Sequence, residues 1–541
     1  MNTHTIKRLI LCIGFAAAPL AAATCESLTG LKLVKTRITA SHVVAPGAFR
    51  PPGNPPNDVD TAVYKTLPSF CRVEGVIEPT SDSHIEFEVW LPSSGWNGNY
   101  LGVGNGGFAG SINYLSASNL SFPGMAPGLM SGFSMSSTDT GHRAWAGDAN
   151  WGLGHPEKVI DYGYRAIHET AVQSKAIIRA FYGAAPKKSY FDSCSNGGRQ
   201  ALMEAQRYPA DYDGILAGAP SYYNTHGTAD YIWNVQALMM DPASHIRPVK
   251  LPAIQVAALA ACDANDGIKD GVIDDPSKCN FDPGVLLCGG AETDACLTQP
   301  QIVALKKIYA GPRNSKGEQI FPGMMPGAET GPQAWSLWIT SAQPEQSGDY
   351  FFGVGTLAKL VYQDPAWDFR TFNFDRDVAF LDDKLGPIRN ATNPNLKAFK
   401  DRGGKLILYH GWNDPAVTPL STVNYYQNVA VTMGEKQTSD FVSLYMVPGM
   451  QHCGNGPGPN YFGSVPSAQT DPRFSLFAAL ARWVENGTKP DEIIATKFKI
   501  DGDAASGIVR TRPLCSYPQV ARYTGSGSTD DAANFKCVDG K

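Results

Sequence analysis

The chain contains short runs of apolar and β-branched residues that end in turn-forming residues, a pattern typical of strands buried in a sheet. These runs are HIEFEVWLP, NYLGVG, GFSMSSTDTG, SYFDSCSNGG, DGILAGAP, KLILYHG and FVSLYMVPG. Between several of them the apolar positions follow a helical period, as in DYGYRAIHETAVQSKAIIRAFYG with Tyr164, Ile167, Val172, Ala176 and Ile177. Alternating strands and helices predict an α/β fold with a mostly parallel sheet.

The alternation of strands and helices stops near Ser221 and resumes near Lys405. The intervening residues include four cysteines, an acidic loop and the run FPGMMPGAETGP, without a regular strand pattern. We therefore predict a lid domain at 221–404, inserted between two strands of a catalytic domain formed by 24–220 and 405–541.

Composition narrows the class of protein. At 541 residues the chain exceeds the size at which a single core stops growing, and 43% hydrophobic with 18% charged residues is typical of a globular protein. The net charge of -5 is spread along the chain. We expect no nucleic-acid partner, because binding phosphates requires clustered lysine and arginine.

The first residues have the three parts of a secretory signal. A basic start, MNTHTIKR, precedes the apolar stretch LILCIGFAAAPL and the small residues before Thr24. This order predicts a signal peptide at 1–23 and a secreted or periplasmic protein. No other stretch has about 18 unbroken apolar residues, so we expect no membrane span.

Cysteine usage points to disulfides. Of the 11 cysteines, Cys12 belongs to the predicted signal peptide. An even number then remains, which in an exported chain indicates disulfides. Spacing alone does not decide the pairing, although three pairs would close short loops: Cys262 with Cys279, Cys288 with Cys296, and Cys515 with Cys537. Cys25, Cys71, Cys194 and Cys453 are left without an assigned partner.

A candidate nucleophile is Ser195, at the turn between the run SYFDSC and a helix-like segment. A strand, a sharp turn and a helix form the nucleophile elbow, which exposes a hydroxyl above the sheet. Ser193 replaces the usual first glycine, so the motif alone leaves an ordinary serine and glycine turn open.

A serine nucleophile needs a base and an acid, which follow it in this fold class in the order acid, then histidine. Asp414 and His452 come just after two later apolar runs, where strand ends would bring them to Ser195. A turn at Asp414 and a solvent-exposed His452 are the structural alternatives. His410, the rival base, is assigned to the wall of the substrate pocket.

The oxyanion of an acyl-transfer reaction requires backbone N–H donors. Asn196, which follows Ser195, supplies one candidate. Gly106 or Gly107, in GVGNGGFAG, supplies the other, because glycine lets the backbone approach a substrate closely.

An acidic loop, CDANDGIKDGVIDDPSKC, brings several carboxylates close together. Such carboxylates repel one another unless they are solvated or bridged by a cation, and oxygen ligands favour calcium. The spacing differs from that of an EF-hand, and a solvated surface loop is the alternative.

Together, Cys194-Ser195, Asp414 and His452-Cys453 resemble the CS-D-HC pattern of the tannase and feruloyl esterase family. The resemblance extends to GNGGFAG, STDTGH, CSNGGRQALMEAQRYPADYDGILAGAP, HGWNDPAVTP, CDANDGIKDG and RPLCSYPQVARYTGSGSTDDAANFKC. It implies an α/β-hydrolase core with a lid inserted after the nucleophile strand.

The resemblance also implies the covalent and metal-binding details. It implies the disulfides Cys194–Cys453, Cys25–Cys71, Cys262–Cys279, Cys288–Cys296 and Cys515–Cys537. It implies a structural Ca²⁺ in the lid, held by Asp263, Asp266, Asp270 and the carbonyls of Ile268 and Val272.

Members of this family cleave small aromatic esters or phenolic esters of plant cell walls. The resemblance implies hydroxycinnamoyl esters first, galloyl esters second and mono(hydroxyethyl) terephthalate third. The terephthalate branch uses a lid arginine to bind the free carboxylate of its substrate. In this chain the segment from Ser341 to Phe369 contains no arginine, and its one basic residue is Lys359. An inactive relative that binds phenolics or glycans is the non-enzyme alternative, against which the retained triad residues argue.

Overall fold

The structure, a computed structural model, describes residues 23–52, 62–115 and 123–540. The predicted signal peptide therefore lies, apart from Ala23, outside the described residues. Within these ranges, no helix is both long and apolar enough to cross a membrane.

The centre of the fold is a nine-stranded sheet with the strand order β1-β2-β3-β5-β4-β6-β7-β8-β9. Strands β1, β2, β3 and β5 pair antiparallel, while β5, β4, β6, β7, β8 and β9 pair parallel. The bounds are β1 Thr36–Val44, β2 Phe70–Ile77, β3 Ile85–Pro92, β4 Asn99–Val103, β5 Ser134–Thr138, β6 Lys188–Cys194, β7 Gly214–Gly218, β8 Lys405–Gly411 and β9 Val442–Val447. The α/β prediction is confirmed.

All the predicted apolar runs form strands of this sheet, β3 to β9, and they are largely buried. The sequence did not predict β1 and β2, because polar and charged side chains interrupt their apolar positions. In β2, for example, Arg72 donates to Glu88 of β3 at 2.9 Å and 2.5 Å, an ion pair that stabilises two antiparallel strands.

Helices cover both faces of the sheet and fill the segment between β7 and β8. Their bounds are Met125–Met130, Pro156–Ile160, Ala166–Tyr182, Asn196–Arg207, Asn224–Met239, Leu251–Cys262, Gln299–Ala310, Trp335–Trp338, Gly348–Gly355, Asp377–Arg389, Lys397–Asp401, Pro419–Met433, Glu435–Ser439 and Leu476–Asn486. Two π-helical turns, Asp161–Arg165 and Thr356–Val361, adjoin longer helices.

The helix predicted from DYGYRAIHETAVQSKAIIRAFYG divides into a π-turn and the α-helix Ala166–Tyr182. Val172, expected on the apolar face, is 40% exposed, whereas Ala171 is fully buried. The π-turn adds a residue to the local period, which shifts the buried face relative to a regular 3.6-residue spacing.

The segment between β7 and β8 contains helices and no strand of the central sheet. Its buried residues form two apolar clusters, one of which includes Phe108 and Tyr162 from the sheet-bearing part of the chain. After the last sheet strand, the chain adds two small antiparallel pairs: β10 Glu492–Ile500 with β11 Asp503–Cys515, and β12 Gln519–Tyr523 with β13 Phe535–Asp539.

The described residues contain five disulfides, which are the pairs that the family resemblance implies: Cys25–Cys71, Cys194–Cys453, Cys262–Cys279, Cys288–Cys296 and Cys515–Cys537. Disulfides in this number are typical of proteins from oxidising compartments.

Candidate active site

Ser195 lies at a sharp turn between β6 and the helix Asn196–Arg207. Its backbone has φ 66° and ψ -127°, a conformation that non-glycine residues adopt only where the surrounding structure imposes it. Gly197, two residues after Ser195, has no room for a side chain, because a Cβ there would lie 1.8 Å from the hydroxyl oxygen of Ser193. The turn thus has the geometry of a nucleophile elbow, with Ser193 at the position of the usual glycine.

The structure brings Ser195, His452 and Asp414 into one hydrogen-bonded chain. His452 Nε2 lies 2.9 Å from Ser195 Oγ, and His452 Nδ1 lies 2.8 Å from Asp414 Oδ2. A carboxylate only accepts hydrogen bonds, so Nδ1 carries the proton and Nε2 accepts from the serine hydroxyl. This arrangement places Nε2 within hydrogen-bond reach of the Ser195 hydroxyl.

Asp414 is fully surrounded by protein and remains ionised. Burial alone raises the pKa of a carboxyl, but the electrostatic interaction with His452 and hydrogen bonds from two histidines hold the pKa of Asp414 well below its usual value. The amides of Ala416 and Val417 also donate to Asp414 Oδ1, at 2.8 Å and 2.9 Å. The carboxylate is therefore fixed in orientation.

His410, expected in the wall of the substrate pocket, lies behind Asp414 instead. Its side chain is completely buried, and its Nε2 is 3.1 Å from Asp414 Oδ2 and 2.9 Å from the carbonyl of Val417. Thr422 Oγ1 lies 2.7 Å from its Nδ1. His410 is the last but one residue of β8, so the strand holds its ring beneath the loop rather than in the cleft.

Two of the three candidate oxyanion donors, Gly107 and Asn196, lie beside Ser195. Gly107 and Asn196 both line the cleft beside Ser195, whereas Gly106 does not. Neither the Gly107 amide nor the Asn196 amide donates within the part of the chain that the structure describes. Gly107, with φ +54°, has no room for a Cβ, which would lie 2.4 Å from the carbonyl oxygen of Ala146.

Tyr162 connects the two candidate donors, a role that no sequence motif indicates. Its hydroxyl lies 2.9 Å from the carbonyl of Gly107 and 3.0 Å from Asn196 Oδ1. Arg199 also donates to Asn196 Oδ1, at 2.8 Å. These contacts fix the glycine loop relative to the elbow.

The disulfide Cys194–Cys453 joins the residues directly beside Ser195 and His452. Its Cα atoms are 6.1 Å apart, and both cysteines are fully buried. The bond ties the nucleophile loop to the histidine loop, although the two lie 259 residues apart in the chain.

A narrow cleft opens beside Ser195. Its walls come from the glycine loop, from the elbow and from the segment between β7 and β8, which contributes Tyr231, Trp338, Phe352, Thr356 and Arg389 among others. The ring of Trp338 meets that of His452 edge to face, with centroids 4.9 Å apart.

Carboxylates of the acidic loop accept hydrogen bonds from backbone amides of the same loop. The Asp263 carboxylate accepts from the amides of Asp270 and Gly271 at 3.2 Å and 3.1 Å. Asp266 Oδ1 accepts from the amide of Ile268 at 3.0 Å.

The loop also concentrates negative charge. Burial, and then the charge of Asp266, raise the pKa of Asp274 to about 8. Asp270 is compensated by Arg512 and Arg510, whose nitrogens lie 2.6 Å and 3.0 Å from its Oδ2. A bound cation would relieve the repulsion between Asp266 and Asp274. Asp274 is not among the calcium ligands predicted from the sequence.

A second possible metal-binding group lies elsewhere. Ligand atoms of His168, Glu204 and Asp211 all lie within 4.8 Å of one another. Burial, and then the charge of Asp211, raise the pKa of Glu204 well above its usual value. The three side chains could hold a cation once Glu204 loses its proton. They come from separate elements, so no local pattern reveals them.

A strand-turn-helix serine, with an acid and a histidine after later strands of a parallel sheet, defines the α/β-hydrolase class. The model of the family Tannase and feruloyl esterase matches residues 71–538. The chain belongs to this family, and it is a carboxylic ester hydrolase of the feruloyl esterase and tannase type.

Individual relatives agree with this membership. An uncharacterized esterase of Xanthomonas campestris pv. campestris is 44% identical, over 96% of this chain and 92% of that protein. The mono(2-hydroxyethyl) terephthalate hydrolase of Piscinibacter sakaiensis is 34% identical, over 88% and 86%. The crystal structure of feruloyl esterase B from Aspergillus oryzae superposes with a TM-score of 0.83 at 28% identity, covering 95% of this chain and 99% of that one.

Proposed function

We propose that the protein is an exported serine esterase that cleaves aromatic acyl esters through an acyl-enzyme, with hydroxycinnamoyl esters as the leading substrates. The observation that carries this proposal is the hydrogen-bonded chain from Ser195 through His452 to Asp414 at the floor of a cleft. Feruloyl esterase B is among the proteins whose structures resemble this one. Galloyl esters and the terephthalate monoester are the alternative substrates.

In the proposed reaction, Ser195 Oγ attacks the ester carbonyl while His452 Nε2 takes its proton. The bond to the alcohol then breaks, and His452 returns the proton to the leaving oxygen. Asp414 stays ionised and stabilises the charged imidazole. The amides of Asn196 and Gly107 donate to the oxyanion. Water, activated by His452, releases the acid from Ser195.

A fluorophosphonate probe tests whether Ser195 is activated. We expect the probe to label the protein with one equivalent on the peptide that contains Ser195, as read by mass spectrometry. His452→Ala is expected to remain unlabelled, because the serine then lacks its base. A folded wild-type protein that does not react would favour the phenolic-binding alternative over the esterase.

Initial rates on methyl ferulate, methyl gallate and the terephthalate monoester, compared at equal concentration, rank the substrates. We expect methyl ferulate to give the highest kcat/KM. A preference for either of the others would replace hydroxycinnamoyl esters as the substrate class and leave the serine mechanism intact.

We further propose that the acidic loop holds a structural Ca²⁺ through Asp263, Asp266 and Asp270 with the carbonyls of Ile268 and Val272. The donor set is entirely oxygen, which calcium prefers. Bound calcium would fix the loop and offset its negative charge.

Chelation tests the calcium proposal. Removing a ligand present at about 100 times its dissociation constant costs about 2.7 kcal/mol of stability. We therefore expect EDTA to lower Tm by several degrees, calcium to restore it, and Asp263→Asn to be insensitive to both. An unchanged Tm, with no calcium found by elemental analysis, would contradict the proposal.

A further inference from the structure

The side chains of His168, Glu204 and Asp211 meet where two helices and a connecting loop converge. His168 lies on the helix Ala166–Tyr182, Glu204 lies on the helix Asn196–Arg207 that begins at the elbow, and Asp211 lies in the connection to β7. None of the three lines the cleft beside Ser195. Each offers a ligand atom to the group within 4.8 Å.

Glu204 lies in this group without a donor to its carboxyl. The residue is only 1% exposed, and neither carboxyl oxygen has a hydrogen-bond partner within the described residues. Buried polar atoms are nearly always paired, so an exception calls for an explanation such as a bound ion or water. An ion held between Glu204, Asp211 and His168 would satisfy it.

The cations nearby do not pair with the Glu204 carboxyl. Lys175 donates to the backbone carbonyl of Asp211, and its charge acts on Glu204 from a distance. In the part of the chain that the structure describes, Glu204 forms no ion pair, and Asp211 forms one with His168, whose Nδ1 lies 2.6 Å from Oδ2. Two buried carboxyls thus face each other, and either a proton or a further cation must offset their repulsion.

The surroundings hold the three side chains in place. The ring of His168 stacks on that of Tyr208, with centroids 3.7 Å apart and planes 8° apart. The amide of Tyr208 donates to the carbonyl of Glu204 at 3.0 Å, and its carbonyl accepts from the amide of Asp211 at 2.9 Å. One turn therefore orients all three, as partners of metal ligands do. The side chain of His168 is 27% exposed, which leaves a path from solvent.

The donor set indicates which ion would fit. One imidazole nitrogen and two carboxylate oxygens are typical zinc ligands. Around a tetrahedral zinc, ligand atoms lie about 3.4 Å apart, so side-chain rotations can close the group on the ion. Calcium instead takes about six to eight oxygen ligands. A water that enters beside His168 would complete the four ligands of zinc.

We propose that His168, Glu204 and Asp211 form a zinc site that joins the helix beginning at the elbow to the helix Ala166–Tyr182. Zinc displaces the protons that these side chains carry, and the protons pass to solvent. The site is separate from the proposed calcium loop and does not depend on the esterase function. A proton shared between Glu204 and Asp211, with no metal, is the alternative.

Calorimetric titration with Zn²⁺ tests the proposal on the intact protein after treatment with EDTA. Excess Ca²⁺ is present throughout, so that the acidic loop is saturated. We expect one equivalent of Zn²⁺ to bind with a Kd of about 1 µM or below. Zn²⁺ should also raise Tm, because it binds only the folded chain. Co²⁺, which absorbs visible light when bound, provides a spectroscopic readout of the same ligands.

Glu204→Gln separates a zinc site from a shared proton. Glutamine keeps the shape of a protonated carboxyl and can donate to Asp211, so the fold and the zinc-free Tm should be retained. We expect its Kd for Zn²⁺ to rise by at least about 100-fold, since even indirect partners of a metal contribute about 10- to 100-fold. His168→Gln should have the same effect. Zn²⁺ should leave the Tm of both variants unchanged.

His155→Gln is the matched control. His155 Nδ1 lies 2.6 Å from Asp82 Oδ1, which is the same separation as in the His168 pair, but it is not part of the three-ligand group. This substitution should leave zinc binding unchanged. A wild type that binds no Zn²⁺ in the presence of Ca²⁺ would overturn the proposal in favour of the shared proton. Equal binding by wild type, Glu204→Gln and His168→Gln would also overturn it, because the ion would then lie elsewhere.

Discussion

Ser195→Ala is expected to lower kcat/KM on methyl ferulate by about 10⁴-fold or more, because it removes the hydroxyl that forms the proposed acyl-enzyme. His452 Nε2 lies 2.9 Å from Ser195 Oγ, so the substitution removes the atom that the base serves. Initial rates at equal enzyme concentration, with circular dichroism to verify folding, provide the measurement.

Ser193→Ala is the matched control for this substitution. Ser193 precedes Ser195 by two residues, and its buried hydroxyl has no hydrogen-bond partner within the described residues. Its loss should change kcat/KM by no more than about twofold, since no polar group is left unpaired. If Ser195→Ala retained more than a tenth of the activity, another nucleophile would have to be sought.

Removing the disulfide beside the active site should reduce both stability and turnover. The bond Cys194–Cys453 closes a 259-residue interval, and the chain-entropy relation gives about 5.6 kcal/mol for a loop of that length. A displacement of about 1 Å between reacting groups can cost about 100-fold in rate. We expect the double variant Cys194→Ala, Cys453→Ala to lose about 10- to 100-fold in kcat at temperatures where it remains folded.

The C-terminal disulfide offers a comparison of the same kind. Cys515–Cys537 closes a 22-residue interval between β11 and β13, away from the cleft. Its double alanine variant should melt at a lower temperature yet keep the wild-type kcat. Equal kcat values in the two double variants would mean that Cys194–Cys453 stabilises the fold without positioning the catalytic groups.

The sequence was most informative where one physical requirement dominates a short stretch. Strands buried on both faces must be almost continuously apolar, so β3 to β9 were predictable, whereas β1 and β2 carry side chains such as Arg72 whose partners lie on a neighbouring strand. Ser195, Asp414 and His452 each come just after one of these apolar runs. Their positions near strand ends were therefore predictable for the same reason.

Two residues show where such reasoning ends. His410 and Asp414 both lie near the end of β8, and nothing in the sequence says which of them faces the cleft and which lies beneath it. Arg389 follows Leu381 and Leu385 at helical spacing, so the sequence pattern places it on the buried face, but only the packed structure reveals that it reaches the cleft.

The segment between β7 and β8 leaves and rejoins the sheet on neighbouring strands, where Gly214 pairs with Lys405 and Gly218 with Tyr409. Because the two strands are parallel, its start after Gly218 and its end before Lys405 lie at opposite ends of the pair, roughly 14 Å apart. Such an insertion can be lengthened, shortened or replaced while the strands beneath it keep their register. Recombination between relatives at these two junctions could exchange Trp338, Phe352 and Arg389 as a unit, so that specificity evolves separately from the chemistry.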